Sequence, residues 1–275
     1  MGTLYLVATP IGNLEDITLR ALRLLKEASL IAAEDTRQTH KLLERHGIQT
    51  RMISYHEHNK IGRLDDVLAA LADGDVALVS DAGTPGLNDP GYELVRAALE
   101  GGFAVSPIPG PSAPVAALVA SGLPTDTFLF LGYLPRKATE RRALLKSNKS
   151  QAHTLIFLET PHRLLEALDD IYSELGDRPF AAARELTKIH EEIYRGTVRS
   201  ARAHFDAQEP RGEFTLVIGG ALEQQLEWNE AQLDRALQEE ILHGDPPAVV
   251  AERLAGVSGW RKNDIYRRLV ALKKG

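Results

Sequence analysis

Three strand-like runs in the first half of this chain end in the same way, and that repetition restricts the fold more than any other feature. Residues 76–79 (VALV) read as a buried parallel strand. They lead into residues 80–91 (SDAGTPGLNDPG), a loop of Gly, Pro and Asp with acids at Asp81 and Asp89, and then into an amphipathic helix at 92–99. Residues 4–8 run likewise into the loop 9–13 (TPIGN) and a helix at about 16–28. Residues 105–108 run into 109–114 (PGPSAP) and a helix of small residues at 115–121. Glycine lets a backbone come close to a ligand, and proline stiffens the loop that carries it. A plain turn needs far fewer such residues. Parallel strands bring their carboxyl ends to one edge, so three such loops predict one ligand cleft in an open α/β sheet.

The loops do not carry the common nucleotide fingerprints. There is no G-x-x-x-x-G-K-[ST], and no G-x-G-x-x-G follows the first strand. Lys and Arg are missing where a phosphate would sit. The expected ligand therefore carries little phosphate and is held by backbone groups and a few acids. S-adenosylmethionine fits, with its cationic sulfonium, zwitterionic amino acid end and adenine.

The remainder of the chain organises around this. Residues 1–119 alternate strands and helices, with further short strands at 30–33 and 52–54 and a helix at 60–72. A linker at 120–125 leads to a second set over 125–220, with strands expected at 127–133, 154–158, 180–184, 190–198 and 214–218 and helices at about 139–146 and 162–175. The stretch 193–214 has room for only a short helix, so this second sheet is expected to be mixed. The last part, 228–275, reads as a helix at 230–243 and then helix, Gly turn (256–259), helix. That pattern is either a helix-turn-helix or a plain αα-hairpin.

Charge limits the partners. The net charge is −6, which argues against a globally basic nucleic-acid binder. Basic residues nevertheless cluster at Arg136, Lys137, Arg141, Arg142, Lys146 and Lys149, and again at Arg253, Arg261, Lys262, Arg267, Arg268, Lys273 and Lys274. Each cluster is either a solvated helix face or a phosphate-binding patch. An acidic stretch, 223–240, lies between them. No run is apolar and long enough for a transmembrane helix, and a first strand at residue 4 leaves no room for a signal peptide. The chain has no cysteine, which excludes disulfides and thiolate zinc sites and suits a reducing cytoplasm. His56 and His58 lack a third spaced ligand, so no metal is expected.

Seven segments taken together and in order resemble one family: residues 7–21 (VATPIGNLEDITLRA), 34–37 (EDTR), 80–91, 109–113 (PGPSA), 132–137 (GYLPRK), 159–163 (ETPHR) and 184–188 (RELTK). The chain resembles ribosomal RNA small subunit methyltransferase I, within the tetrapyrrole methylase superfamily, over nearly its whole length. The resemblance implies a two-domain α/β class III methyltransferase fold with a small helical C-terminal module facing RNA. It implies S-adenosylmethionine as cofactor and a homodimer, to which the apolar helix at 115–119 and Leu123-Pro124 contribute. It implies 2′-O-methylation of a cytidine, cytidine 1402, in the decoding region of 16S rRNA, as free rRNA or in the assembled small subunit.

Carried over residue by residue, the superfamily pattern implies cofactor contacts from Pro10 and Ile11 in the first loop. It implies Asp81, Ala82, Gly83, Thr84 and Leu87 in the second, where Asp81 is kept although its neighbours depart from Gly-Asp-Pro. Ser112 and Ala113 follow in the third loop, then Leu158, Leu186 and Thr215. The second-domain strand end is Leu158-Glu159, where many relatives carry an aromatic residue and Met, which suits an acceptor other than a porphyrin. The implied RNA contacts are Arg37, Arg136, Lys137, Arg141, Arg142, Arg261, Lys262, Arg267 and Arg268.

Methyl transfer from a sulfonium needs alignment more than acid–base help, but a ribose hydroxyl is a poor nucleophile and a base would assist. Glu159 and Glu191 are the base candidates, and Lys188 is a third catalytic candidate, placed with Arg37 near the reacting RNA. The segment 34–37 reads equally as a helix start capped by Asp35 or Thr36, and Arg184-Glu185 equally as a structural pair. Two rival readings remain: a methylase of a tetrapyrrole or other small molecule, and a non-catalytic RNA-binding protein with a methylase fold.

Overall fold

The computed structural model describes residues 1–208, 210–221, 228–243 and 245–272, the side chain of Leu242 excepted. Residues 1–149 and 153–219 form one compact unit, and residues 150–152 with the described part of 220–275 form another. The first unit holds two five-stranded sheets.

The first sheet is built from β1 (Thr3–Val7), α1 (Leu19–Glu27), β2 (Leu30–Ala33), α2 (Thr36–Arg45), β3 (Met52–Ser54), α3 (Lys60–Asp73), β4 (Val76–Val79), α4 (Tyr92–Glu100), β5 (Ala104–Ile108) and α5 (Ala113–Ser121). Its order is β3-β2-β4-β1-β5, and every pairing is parallel. The inner strands β2 and β4 are buried at every residue, which is why they read as unbroken apolar runs rather than alternating ones. One core packs Leu24, Leu25 and Leu43 on one face, and another packs Val67, Leu71 and Leu94 on the other. The strand order makes β4, β1 and β5 adjacent, and these are the three strands that end in Pro/Gly loops.

Helix starts follow local capping. Asp35 accepts from the Arg37 amide at 2.8 Å, so the 34–37 segment does begin a helix, α2. The helix expected from about residue 16 begins later, because Leu14–Asp16 forms a single 3₁₀ turn and Thr18 caps α1.

The second sheet runs through β6 (Phe128–Tyr133), α6 (Ala138–Ser147), β7 (Thr154–Glu159), α7 (Leu164–Leu175), β8 (Pro179–Arg184), β9 (Glu192–Thr197), α8 (Val198–Ala207) and β10 (Phe214–Ile218). The order is β6-β7-β10-β8-β9, with β6 and β7 parallel and the other pairs antiparallel. The sheet is mixed, as expected. One face packs Phe157, Phe180, Phe205 and Phe214 against α7 and α8, and the other packs Ile156, Ala181 and Val217 against Ala117 and Leu118 of α5. The strand expected from His190 starts two residues later. Residues 185–191 instead form a tight loop, with Glu185 and Thr187 at positive φ (50° and 66°).

The C-terminal unit contains α9 (Glu230–His243), α10 (Pro247–Ser258) and α11 (Lys262–Leu272). Leu233, Leu237, Val250, Leu254, Ile265 and Leu269 form its core, flanked by Trp228 and Trp260. The expected turn at 256–259 is shorter. Gly256 is helical, and Gly259 at φ 74° makes the break. Lys273 and Lys274 of the basic cluster, and residues 223–227 of the acidic stretch, lie outside the described residues.

Candidate active site

The three Pro/Gly loops are joined into one platform. Thr9 and Gly83 exchange backbone hydrogen bonds in both directions, at 2.8 and 3.0 Å. Thr9 Oγ1 donates to the Ser80 carbonyl at 3.1 Å, and Thr84 Oγ1 donates to the Pro111 carbonyl at 3.3 Å. The loop after β4 is therefore tied to both neighbours. It is tied to β2 as well: the Asp81 amide donates to Glu34 at 3.1 Å, and the Asp35 amide donates to Asp81 at 2.9 Å. The second sheet closes on this platform at β6. A Cβ on Gly132, which sits at φ 68°, would lie 2.7 Å from the side-chain oxygen of Asn88, so only glycine admits that contact.

Between platform and second sheet lies a cavity of about 280 Å³. Ile11, Leu87, Leu158, Leu186 and Phe130 give it apolar surface, and Ser112, Thr84 and Thr215 give it hydroxyls. Its charge is one-sided. Glu34, Asp81, Asp89, Glu185 and Glu213 line it against one cation, Lys188, whose Nζ is already 2.8 Å from Glu185. Burial pushes Asp89 up to about 6, and the nearby Glu34 carboxylate pushes in the same direction. Burial likewise raises Glu34 and Asp81. For all three the largest cause is partial burial of the carboxylate, which outweighs the hydrogen bonds and nearby charges that favour its ionised form. Such a wall favours a cationic ligand and opposes a phosphorylated one.

The residues proposed from sequence separate into distinct places. Ile11, Asp81, Ala82, Gly83, Thr84, Leu87, Ser112, Ala113, Leu158, Leu186, Thr215 and Lys188 all line the cavity. Pro10 is buried and does not. Glu159 is fully buried, accepts from the Thr160 amide at 2.7 Å and pairs with Arg163 at 2.7 Å. A carboxylate so enclosed cannot reach a substrate hydroxyl, so the structure corrects its reading as a base. Glu191 is exposed, accepts from the Thr187 amide at 2.6 Å, holding the 185–191 loop, and does not line the cavity.

Among the basic residues, Arg141 is 2% exposed and bonds Asp170 of α7 at 2.6 Å, so it is a core ion pair and not an RNA contact. Arg142 shares Asp170 from the exposed side. Arg136 and Lys137 are exposed, the latter paired to Glu140 at 3.0 Å. Arg37 is exposed and doubly bonded to Asp35. In the C-terminal unit Arg267 pairs with Asp264, Lys262 with Glu252, and Arg268 with Asp234 and Glu230, while Arg261 is exposed. Sequence reasoning missed Glu213, Tyr133 and Phe130 as cavity residues. They come from the opposite sheet, where no Pro/Gly loop flags a ligand. Among the described residues no group of His, Asp and Glu is arranged to hold a metal.

Residues 3–202 match the family of tetrapyrrole (corrin/porphyrin) methylases. A ribosomal RNA small subunit methyltransferase I of Halalkalibacterium halodurans is 48% identical over 96% of this chain and 93% of its own. The protein of that name from Synechocystis is 47% identical over 99% of both chains. The chain belongs to the ribosomal RNA small subunit methyltransferase I family. Uroporphyrin-III-C-methyltransferase of Thermus thermophilus, at 22% identity, has a similar fold, with a TM-score of 0.57 over 80% of this chain and 94% of that one. Cobalt precorrin-4 methyltransferase gives 0.58 at 17% identity, over 79% of this chain and 94% of its own. These two solved methyltransferases thus share the fold at low identity, and the rRNA methyltransferases are similar in sequence over nearly the whole chain.

Proposed function

We propose that this protein binds S-adenosylmethionine in the acid-walled cavity and transfers its methyl group to the 2′-hydroxyl of a cytidine, cytidine 1402, in the decoding region of 16S rRNA. The observation that carries the cofactor reading is the cavity's charge: five carboxylates against one neutralised lysine, on a platform tied together by backbone hydrogen bonds. The cofactor supplies an electrophilic methyl on a positive sulfur. Asp81, Glu34 and Asp89 supply negative charge to receive a cation, Leu87, Leu158, Leu186 and Ile11 supply apolar walls for a nucleoside, and the backbone near Gly83 can approach it closely. The relatives' names support the RNA acceptor. The direct test is labelled methyl transfer to small ribosomal subunits lacking the modification, followed by nucleotide mapping. Label on another nucleotide would revise the position, and label only on a porphyrin would overturn the RNA reading.

Asp89 gives this reading a pH signature. In the free protein its carboxyl is protonated below about 6. A cation prefers the carboxylate, so ligand and proton compete. S-adenosylmethionine affinity is expected to rise by about tenfold from pH 5 to pH 7, and Asp89→Asn should flatten the profile. Calorimetry across that range checks it; a flat parent profile would separate Asp89 from the ligand.

A homodimer in the cytoplasm, where ribosomes are assembled, completes the proposal. Val115 and Val119 of α5 are 48% and 68% exposed, apolar surface that a second copy would cover. Light scattering at micromolar concentration should give about twice the chain mass of 30.2 kDa. A monomeric mass would contradict it.

A further inference from the structure

A second depression opens beside the cavity, and its chemistry is the opposite. This groove of about 990 Å³ runs between the loop after β1, the end of α2 and the 185–191 loop. Arg45, His46, Lys188 and His190 line it, against the single acid Glu15. Arg45 and His46 are exposed and have no ion-pair partner among the described residues. Lys188 lines both the groove and the cavity, so it stands in the wall between them. The groove thus presents the guanidinium of Arg45, two imidazoles and Lys188, whose ammonium is shared with Glu185, directly against an anionic cavity. A cation would be drawn to one and a polyanion to the other.

The loop forming that wall is held in a costly shape. Glu185 and Thr187 both have positive φ, unusual for any residue with a Cβ and more so for a β-branched one. Three contacts maintain it: Glu191 on the Thr187 amide at 2.6 Å, the Asn13 amide on Thr187 Oγ1 at 3.0 Å, and close packing at Gly12. A Cβ at Gly12 would lie 2.5 Å from Lys188 Cγ and 2.9 Å from the Leu186 carbonyl oxygen. The result of this bracing is that Ile189 stands 97% exposed on the groove's rim beside His190. Leu14, 42% exposed, lines the same groove. Apolar surface flanked by a guanidinium and imidazole N–H donors is what an unpaired nucleotide needs, with a face for the base and donors for the phosphate.

We propose that this groove seats the single-stranded RNA segment flanking the nucleotide to be modified, with Arg45, His46 and His190 on its phosphates and Ile189 against a base. The inference rests on the RNA reading of the neighbouring cavity, and it supplies a polyanion seat that the cavity cannot. Lys188 would then serve both compartments, marking where the acceptor strand passes from one to the other.

The test uses the full chain and the double variant Arg45→Glu/His190→Glu, both surface positions outside the cavity. Fluorescence anisotropy with a labelled single-stranded cytidine-containing RNA oligomer reads binding, and methyl transfer to unmodified small subunits reads KM and kcat. The variant should bind the oligomer at least tenfold more weakly, with a salt dependence flatter by about one unit of slope per lost phosphate contact. KM for subunits should rise by a similar factor, while calorimetric S-adenosylmethionine affinity stays at the parent value and reports an intact fold. Ile189→Ser should weaken oligomer binding without altering the salt slope. Parent-like RNA binding and KM in the double variant would overturn the proposal, as would a hairpin of the same sequence binding as tightly as the single strand. If the parent binds the oligomer through Arg45 and His190 yet methylates no RNA, the groove stands and the reading of the reaction falls.

Discussion

Replacing Asp170 with alanine is expected to destabilise the first unit by about 3–5 kcal/mol, because it strands a buried charge. Asp170 is 3% exposed and receives Arg141 at 2.6 Å on one oxygen and Arg142 at 2.6 Å on the other. Arg141 is 2% exposed, and its only other carboxylate among the described residues, Glu166, is 3.7 Å away and solvated. Without Asp170 a guanidinium stays buried with no adequate counter-charge, and desolvation then goes uncompensated. Thermal unfolding should shift down by about 10 °C. Removing both charges tests the cause. Arg141→Met with Asp170→Leu should recover most of the loss, because an apolar pair avoids the desolvation that the ion pair merely offsets. Arg142 would lose its partner too, but its side chain is 58% exposed and water replaces the bond. A single alanine variant within about 1 kcal/mol of the parent would show that water reaches Arg141.

The same pair shows where sequence reading stops. Arg141 and Arg142 are adjacent in a basic run and look alike as letters. What separates them is α7, which brings Asp170 under one face of α6. Burial set by a partner 29 residues away leaves no local mark. Glu159 failed for the same reason: a strand-end acid reads as catalytic, but its neighbour Arg163 folds back to neutralise it inside the protein.

The three loops were legible because their composition is itself the device. Glycine and proline stand where the backbone must approach or hold still, and strand order then makes β4, β1 and β5 neighbours. The second sheet is mixed as the spacing predicted, but for a different reason: the 193–214 stretch holds the ten-residue helix α8, and β9 and β10, both antiparallel to β8, run parallel across it. Its contribution to the cavity was only partly legible. Leu158, Leu186 and Thr215 came through family resemblance, whereas Glu213 and Tyr133 sit on ordinary strand termini and acquire meaning only opposite Asp89.

Asp81 is the residue on which the cofactor reading turns most sharply. Asp81→Ala is expected to weaken S-adenosylmethionine binding by about ten- to a hundredfold, the worth of one charged hydrogen bond of about 1.5–3 kcal/mol. Alanine alone would be ambiguous, because Asp81 also accepts from the Asp35 amide at 2.9 Å and so helps fix the loop. Asp81→Asn separates the two roles. It keeps an acceptor for that amide and the shape of the loop but removes the charge. If the carboxylate acts on the ligand's charge, asparagine should lose nearly as much affinity as alanine. If its role is to brace the loop, asparagine should bind like the parent. S-adenosylhomocysteine, whose sulfur is neutral, locates the interaction further. A loss confined to S-adenosylmethionine assigns Asp81 to the sulfonium, and an equal loss for both assigns it to the amino group they share. Calorimetry with the two ligands against parent, alanine and asparagine proteins decides among these. Unchanged affinity in both folded variants would remove Asp81 from the ligand and leave Glu34 and Asp89 as the acids that face it.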